Sequence, residues 1–311
     1  MVSVSEFKSI FDLLTTFPDE QSCINHLEKI RWNGNVVSPF DETSQVYKCK
    51  SNRYKCKNTG KYFNVKVGTI FEDTKIKLQK WFMALYVFSS HKKGISSHQL
   101  AKDIDVTQKT AWFMLHRLRY AFDHPNFKAV LENEVEIDET FVGGDEKNKH
   151  ENKKTSGTQG RSTKTKTPIL GMIEREGRVI AKVVNDTKKA TLQPIINECV
   201  KEGTSVYTDE WKAYNNLATS KNNFKHERIN HSAKEYVNGK VHTNGIECFW
   251  SHLKRGITGI YHWCSEKHLQ RYVNEFSLRF NTRLSTTCNR FDFVLSNIKG
   301  RLLYKVLIAK V

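Results

Sequence analysis

The spacing of apolar positions changes several times along the chain, and each change predicts a new element. Residues 1 to about 60 read as short helical stretches broken by turn signals at Asn33-Gly34 and Ser38-Pro39. From Tyr54 to Phe71 polar residues alternate with aromatic or β-branched ones, the two-residue period of a small hairpin. From Leu78 to Phe88 the apolar residues fall at helical spacing. Residues 94–122 then give two short helices. Ser96 or Ser97 caps the first, which carries Leu100 and Ala101, and Ile104-Asp105-Val106 makes a tight turn. Thr107 caps the second, whose apolar face is Ala111, Met114, Leu115 and Leu118. Two short helices joined this way, the second rich in Gln, Lys, His and Arg, form a helix-turn-helix pattern.

The pattern changes again near residue 130. Val135 to Gly144 reads as a buried strand ending at a glycine pair, and Thr167 to Asp186 as a hairpin. Between them, residues 145–167 hold seven Lys or Arg against three acids among Ser, Thr, Gly and Asn, the composition of a mobile loop. An amphipathic helix follows at Thr191–Gly203, a short strand at Ser205–Trp211 and a further strand at Lys225–Ser232. Helices at Asn244–Gly256 and Glu266–Arg283 complete the series. This order suits a mixed sheet flanked by helices, an α/β fold, and no internal repeat is evident.

Charge narrows the partners. The 311 residues carry 50 Lys and Arg against 33 Asp and Glu, a formal +17, which attracts a polyanion at long range. Nucleic acid fits better than a membrane. The longest clearly apolar run, Trp81 to Phe88, is eight residues, far short of the ~20 that a spanning helix needs. The N-terminus lacks a basic-then-apolar signal pattern. Seven scattered cysteines fit reduced thiols better than a disulfide framework. A soluble protein is expected, cytoplasmic and nucleoid-associated in a bacterium, or nuclear in a eukaryote.

Three acids stand out. Asp138 lies inside an apolar strand, Asp209 ends another, and Glu247 lies on a helix with Ser251 and Lys254 at i+4 and i+7 on the same face. Acids among apolar neighbours are costly to ionise without a partner, and three together repel one another. A divalent cation removes that conflict. Mg²⁺ suits hard oxygen ligands of this kind, with Mn²⁺ as substitute, and two such ions can assist displacement at a phosphodiester. Each acid taken alone reads first as an ordinary surface acid beside a strand end, and only second as catalytic.

The ordered series IDETFVGG, a basic loop, TPILGMIER, YTDEW and HTNGIECFWSHLKRG resembles the catalytic core of the DDE transposases. It is most similar to the ISXO2-like insertion-sequence group, related to the Merlin elements, which carries a zinc-ribbon and helix-turn-helix arm. YFNVKVGTIFEDTKIKLQKWF and GISSHQLAKDIDVTQKTAWFMLHRLR resemble the same group's N-terminal half, so the likeness spans roughly residues 20–285. It implies an RNase H-like fold for the second half and metal-dependent cleavage and transfer of DNA strands. By position, Asp138 and Asp209 match the first two catalytic and metal-binding acids, and Glu247 matches the third. Asn244, one helical turn earlier, is the alternative third ligand. Lys254 matches the basic residue seven positions on, a point charge for a phosphate near the cut; its plain alternative is a solvated helix-face lysine. Trp211 and Trp250 read first as core residues and second as stacking platforms.

One departure concerns the ribbon. Where relatives pair cysteines to hold zinc, this chain has Ser38 to Asp41 without a cysteine, and Cys56 with Thr59 three residues on. No structural zinc is expected. Cys49, Cys56, Cys23 and His26 would form only a poorly spaced substitute set. A small β-element held by Tyr54, Tyr62 and Phe63 is expected to keep the shape.

For the helix-turn-helix, Gln108, Lys109, His116, Arg117 and Arg119 are expected on the face away from the core. There Gln and Arg can read base edges and Lys can hold phosphate. The ordinary alternative is a helical hairpin with a basic solvent face. The basic tract 145–167 reads as a DNA clamp or as a solvated loop. The expected layout is a degenerate zinc-ribbon-like region at 1–75, a helix-turn-helix region at 76–128, a catalytic domain at 129–285 and a tail at 286–311. The partners expected are double-stranded DNA, both element ends and target, and a second copy of the chain on DNA. A non-catalytic DNA-binding regulator and a nuclease of RNA–DNA hybrids are the rival functions.

Overall fold

The computed structural model describes residues 7–122, 130–144, 150–156, 162–219, 221–229 and 239–309. Packing divides the chain into two units, Met1–His124 with Leu284–Val311, and Pro125–Arg283.

In the first unit, α1 (Ile10–Thr16) and α2 (Glu20–Trp32) each open with a reciprocal cap, Ser9 with Asp12 and Asp19 with Ser22. Asn33, at φ 44°, ends α2 ahead of Gly34. A three-stranded antiparallel sheet follows in the order β1 (Val46–Cys49), β2 (Arg53–Cys56), β3 (Tyr62–Phe63). The alternating pattern predicted only a hairpin here, and β1 is an addition. Its inner side is Tyr54, Cys56 and Phe63 packed with Trp32, Val36, Val46 and Val67. Tyr62, expected to help hold this element, is 56% exposed, because it faces the side opposite its neighbour Phe63. The loops at 38–44 and 56–59 are joined by hydrogen bonds. Asp41 accepts from Asn58 at 2.8 Å and from Thr43 Oγ1 at 2.7 Å. Burial pushes the Cys56 thiol up, but the hydroxyls of Ser38, Ser44 and Thr59 and the Thr59 backbone outweigh it and bring it down to about 6.

Next, α3 (Leu78–Ser90) is buried on nearly every side. The helix pair follows as α4 (Ser97–Asp103), capped by Ser96, and α5 (Gln108–Ala121), capped by Thr107. The turn between them passes through Asp105 at φ 51°, and Val106 N–H donates to Ala101 O at 3.0 Å.

The second unit carries β4 (Glu134–Val142), β5 (Thr167–Glu174), β6 (Val179–Val183), α6 (Lys189–Cys199), β7 (Ser205–Thr208), β8 (Lys225–Arg228), α7 (Asn244–Gly256) and α8 (Glu266–Asn281). The sheet order is β6-β5-β4-β7-β8, with β4, β5 and β6 antiparallel and β7 and β8 parallel to β4. This is an RNase H-like sheet, as the resemblance implied. Side chains alternate across it. Val135, Ile137, Leu170 and Met172 join α6 in one core, while Ile169 and Ile173 join α7 and α8 in the other. Of the basic tract 145–167, residues 145–149 and 157–161 lie outside the described residues. Glu151–Lys153 make one 3₁₀ turn.

The expected tail instead returns to the first unit. There α9 (Thr287–Ser296) buries Cys288, Phe291, Val294 and Leu295, with α10 (Tyr304–Ile308) beyond it. Phe291 meets Phe7 and Phe82 edge-on, at centroid distances of 5.1 and 5.3 Å, and His26 Nε2 lies 3.2 Å from Asp292. This return corrects the expected DNA-contact face of α5. Tyr304 packs on Phe113, and Arg301 pairs with Glu72 at 2.8 Å, so only the first turn of α5 remains open. Gln108 and Lys109 are exposed there. His116 is fully buried, Arg119 is 1% exposed and Arg117 6%. The Arg117 guanidinium donates to Ile70 O at 2.9 Å and Glu72 O at 3.0 Å, and burial lowers its pKa.

Arg117→Ala strands two buried carbonyls, so it should destabilise the protein by roughly 2–3 kcal/mol. Lys109→Ala should stay within about 0.5 kcal/mol of the parent. Thermal melts check both; an Arg117→Ala variant that melts with the parent would contradict the buried role.

Candidate active site

The site begins with strand alternation. Glu136 and Asp138 sit two apart on β4 and so share the face turned to α7, while Val135 and Ile137 enter the other core. The parallel register pairs Glu136 with Tyr207. Carried two residues further, it sets Asp138 beside Asp209, just past the end of β7. Asp209 is buried, and its Oδ1 accepts the Trp211 N–H at 2.9 Å, which fixes the turn. Glu247 stands on α7, exposed, with Oε1 accepting from Thr243 Oγ1 at 3.1 Å.

These elements enclose a cavity of about 310 Å³ lined by Asp138, Glu139, Thr140, Asp209, Glu247, Trp250, Ser251 and Lys254. All three candidate acids and Lys254 therefore line one space, and Asn244, exposed at the start of α7, does not. Gln108 and Lys109 belong to the other unit.

Burial pushes the Asp138 carboxyl up to about 6. The neighbouring charge of Asp209 adds to the rise and that of Glu247 adds less, against the lowering by Glu139 N–H and Trp250. The Trp250 indole Nε1 donates to Asp138 Oδ2 at 3.0 Å. Its ring fits because Gly171, opposite Asp138 on β5, has no side chain; a Cβ there would meet the ring at 2.4 Å.

Glu136 is the residue that the sequence reading missed. It is 1% exposed. Its Oε2 accepts the N–H groups of Gly245 at 2.7 Å and Ile246 at 3.1 Å, and its Oε1 accepts from Arg175 Nε at 3.1 Å. His242 Nδ1 lies 3.2 Å from the same oxygen without hydrogen-bond geometry. The available signal was a second acid two residues before Asp138, on the same face of an apolar strand.

An RNase H-like sheet with acids from two adjacent strands and a following helix turned to one cavity is the architecture of the DDE transposases. A sequence model of the ISXO2-like transposase domain matches residues 130–281. A protein of the transposable element ISH50 from Halobacterium salinarum is 32% identical over 280 residues, covering 86% of this chain and 92% of its own. A transposase-like protein of Haemophilus influenzae is 35% identical over 125 residues, 40% of this chain and 97% of its own. The chain belongs to the ISXO2-like transposase family. Among solved structures, a pre-cleavage Mos1 transpososome aligns with a TM-score of 0.30 at 11% identity, over 71% of this chain and 80% of that one. A Mos1 paired-end complex gives 0.29 at 10% over the same shares. Among the described residues no helix is long and apolar enough to cross a membrane.

Enzymes of this class work with a divalent metal. The donors here suit one: carboxylate oxygens in a shared cavity, with Asp138 disfavoured as a bare anion. In the present arrangement no three His, Cys, Asp or Glu side chains among the described residues are grouped as ligands of one ion.

The raised Asp138 value has a sign that a melt can read. The folded pKa of about 6 exceeds the ordinary value of ~3.9, so folding is favoured by the bound proton. That stability is present below about pH 4 and lost as pH rises through about 6. Asp138→Asn keeps the acceptor for Trp250 and removes the charge. Without divalent ions at pH 7.5 it should be more stable than the parent by on the order of 1–3 kcal/mol, and near pH 4 the two should match. Equal melting at pH 7.5 would show that the charge is not desolvated.

Proposed function

We propose that this transposase binds the terminal inverted repeats of its element and cuts and joins DNA with Asp138, Asp209 and Glu247. The supporting observation is the single cavity that these acids share with Lys254. Mg²⁺, with Mn²⁺ as substitute, would be held by the three carboxylates, with Glu247 preferred to Asn244, and supplies Lewis acidity at the phosphodiester. The chain's own groups do the remaining work. Trp250 and the Trp211 N–H hold Asp138 and Asp209 in fixed orientations, and Thr243 restrains Glu247. Lys254, exposed at the mouth, offers a cation to a non-bridging phosphate oxygen.

Two displacements at phosphorus follow. Water attacks a phosphodiester at the element end and leaves a free 3′-hydroxyl; that hydroxyl then attacks a target phosphodiester and expels a new 3′-hydroxyl. One site can serve both, because each is an in-line substitution on the same centre. The exposed first turn of α5, with Gln108 and Lys109, is the part of the helix-turn-helix open to a major groove. Two ends must meet for transfer, so at least a dimer on DNA is expected.

The test uses the gene's own flanking DNA. Purified protein with Mg²⁺ or Mn²⁺ should nick that DNA at two inverted ends, and Asp209→Asn should abolish the nicks while still binding. Binding without nicks in either ion would replace the proposal with a DNA-binding regulator that no longer cuts.

A further inference from the structure

The outer face of the three-stranded sheet is the strongest feature that the catalytic reading leaves unused. Antiparallel register places Tyr47 directly opposite Lys55, and Lys55 directly opposite Tyr62. Residues so paired share one face. The three therefore form a row across β1, β2 and β3, on the side away from Tyr54 and Phe63. Tyr47 is 49% exposed and Tyr62 56%. The Lys55 Nζ lies 5.6 Å from the Tyr62 ring centre. Neither tyrosine belongs to the sheet's core cluster.

Charge says what would cover this row. Between Val46 and Lys66 there are seven Lys or Arg and no Asp or Glu. Lys50, Lys57 and Lys61, in the turns at the strand ends, are all exposed. A polyanion fits that field, and a second copy of the same basic surface does not. Aromaticity then selects the form of the polyanion. In a duplex the base faces are already stacked, so two open rings find nothing flat to meet. An unpaired strand offers base faces and phosphates together, and aromatic side chains beside cations are the usual way to bind it.

We propose that this face binds unpaired DNA: the Tyr47 and Tyr62 rings stack on bases, and Lys55 with the lysines of the turns holds the backbone. The surface would keep hold of a strand end freed by cutting. That use rests on the transposase reading above, whereas the binding itself does not require cleavage.

The experiment is fluorescence anisotropy on the full chain, with a labelled 15-residue oligo(dT) and a duplex of the same length in parallel. Tyr47→Ala with Tyr62→Ala should weaken oligo(dT) binding about tenfold or more, since each stacking ring contributes strongly. Duplex affinity should stay within about twofold, because phosphate contacts dominate it. Tyr47→Phe with Tyr62→Phe keeps the rings and should bind oligo(dT) as the parent does. Both tyrosines are exposed, so melting temperature should not move, and a melt confirms that each variant is folded. The proposal is overturned if the alanine pair binds oligo(dT) like the parent, if it loses duplex and oligo(dT) equally, or if the phenylalanine pair loses binding. It is overturned too if sedimentation shows that the alanine pair changes self-association and not oligo(dT) binding. Nicking of flanking DNA, scored separately, reports on the catalytic reading alone.

Discussion

The first turn of α7 has backbone N–H groups that no carbonyl of the helix can satisfy. Thr243 precedes that turn but spends its hydroxyl on Glu247. The acceptor comes from another element, the buried carboxylate of Glu136 on β4, which takes the N–H groups of Gly245 and Ile246. The favourable field of a helix N-terminus adds to the two bonds. Arg175 completes the pairing and also donates to the carbonyls of Lys240 and His242, so it fixes the approach to the helix. The contact leaves no room for a side chain at residue 245, where a Cβ would lie 2.8 Å from the Glu136 carboxylate. Asp138 is two residues further along the same strand, and Glu247 is two residues past Gly245 on the same helix. This clamp, the Trp250–Asp138 bond and the packing of Ile246 and Phe249 together set their separation.

The site also stores instability. Asp138 sits where burial and two neighbouring acids oppose its charge, and its one side-chain donor is an indole N–H. A stable protein would put an apolar residue there, as β4 does at Val135 and Ile137 on its other face. Functional sites often break the rules that the surrounding core obeys. The glycine at 171 belongs to the same arrangement: strand interiors disfavour glycine, yet only glycine lets the Trp250 ring pass over β5 to reach Asp138. The arginines of α5 show the opposite solution. Arg117 is buried without an acid in direct hydrogen-bond contact, and peptide carbonyls solvate it.

Most of the second unit was legible because its signals are local. The apolar strands at β4 and β5 and the amphipathic α6 and α7 follow from side-chain period, Asp138 and Asp209 stand out against their apolar neighbours, and the resemblance implied the RNase H-like fold. What escaped detection depends on chain segments far apart in sequence. Glu136 reads as one more acid until α7 is known to end against it. Arg117 and Arg119 read as a DNA-facing stripe because α5, taken alone, has an apolar side and a basic side; Ile70 and Glu72 lie over Arg117, and Tyr304 lies over Phe113. The return of residues 284–311 had a signal of its own in Cys288, Phe291, Val294 and Leu295, which fall at helical spacing. The β1 strand was invisible for a different reason. It is four residues long, with the adjacent Tyr47 and Lys48 both exposed, too short for a period to register.

The small sheet shows how side chains alone can hold an element of few, short strands. Two- and three-stranded sheets are marginal by themselves, and here β3 has only two residues. The residues that tie the sheet's loops together are Ser38, Asp41, Cys56 and Thr59. Their hydroxyl, carboxylate and thiol groups bond to one another and to Asn58, Thr43 and Ser44. The remaining support comes from Trp32 of α2, edge-on to Tyr54 at 5.3 Å, and from the Tyr54–Phe63 stack at 5.7 Å. All of this lies on the inner side. The sheet's cohesion therefore places no demand on Tyr47 or Tyr62, and a fold that is already short of buried apolar area would gain from covering them. That two large rings stay open on so small an element argues that what they meet lies outside the sheet.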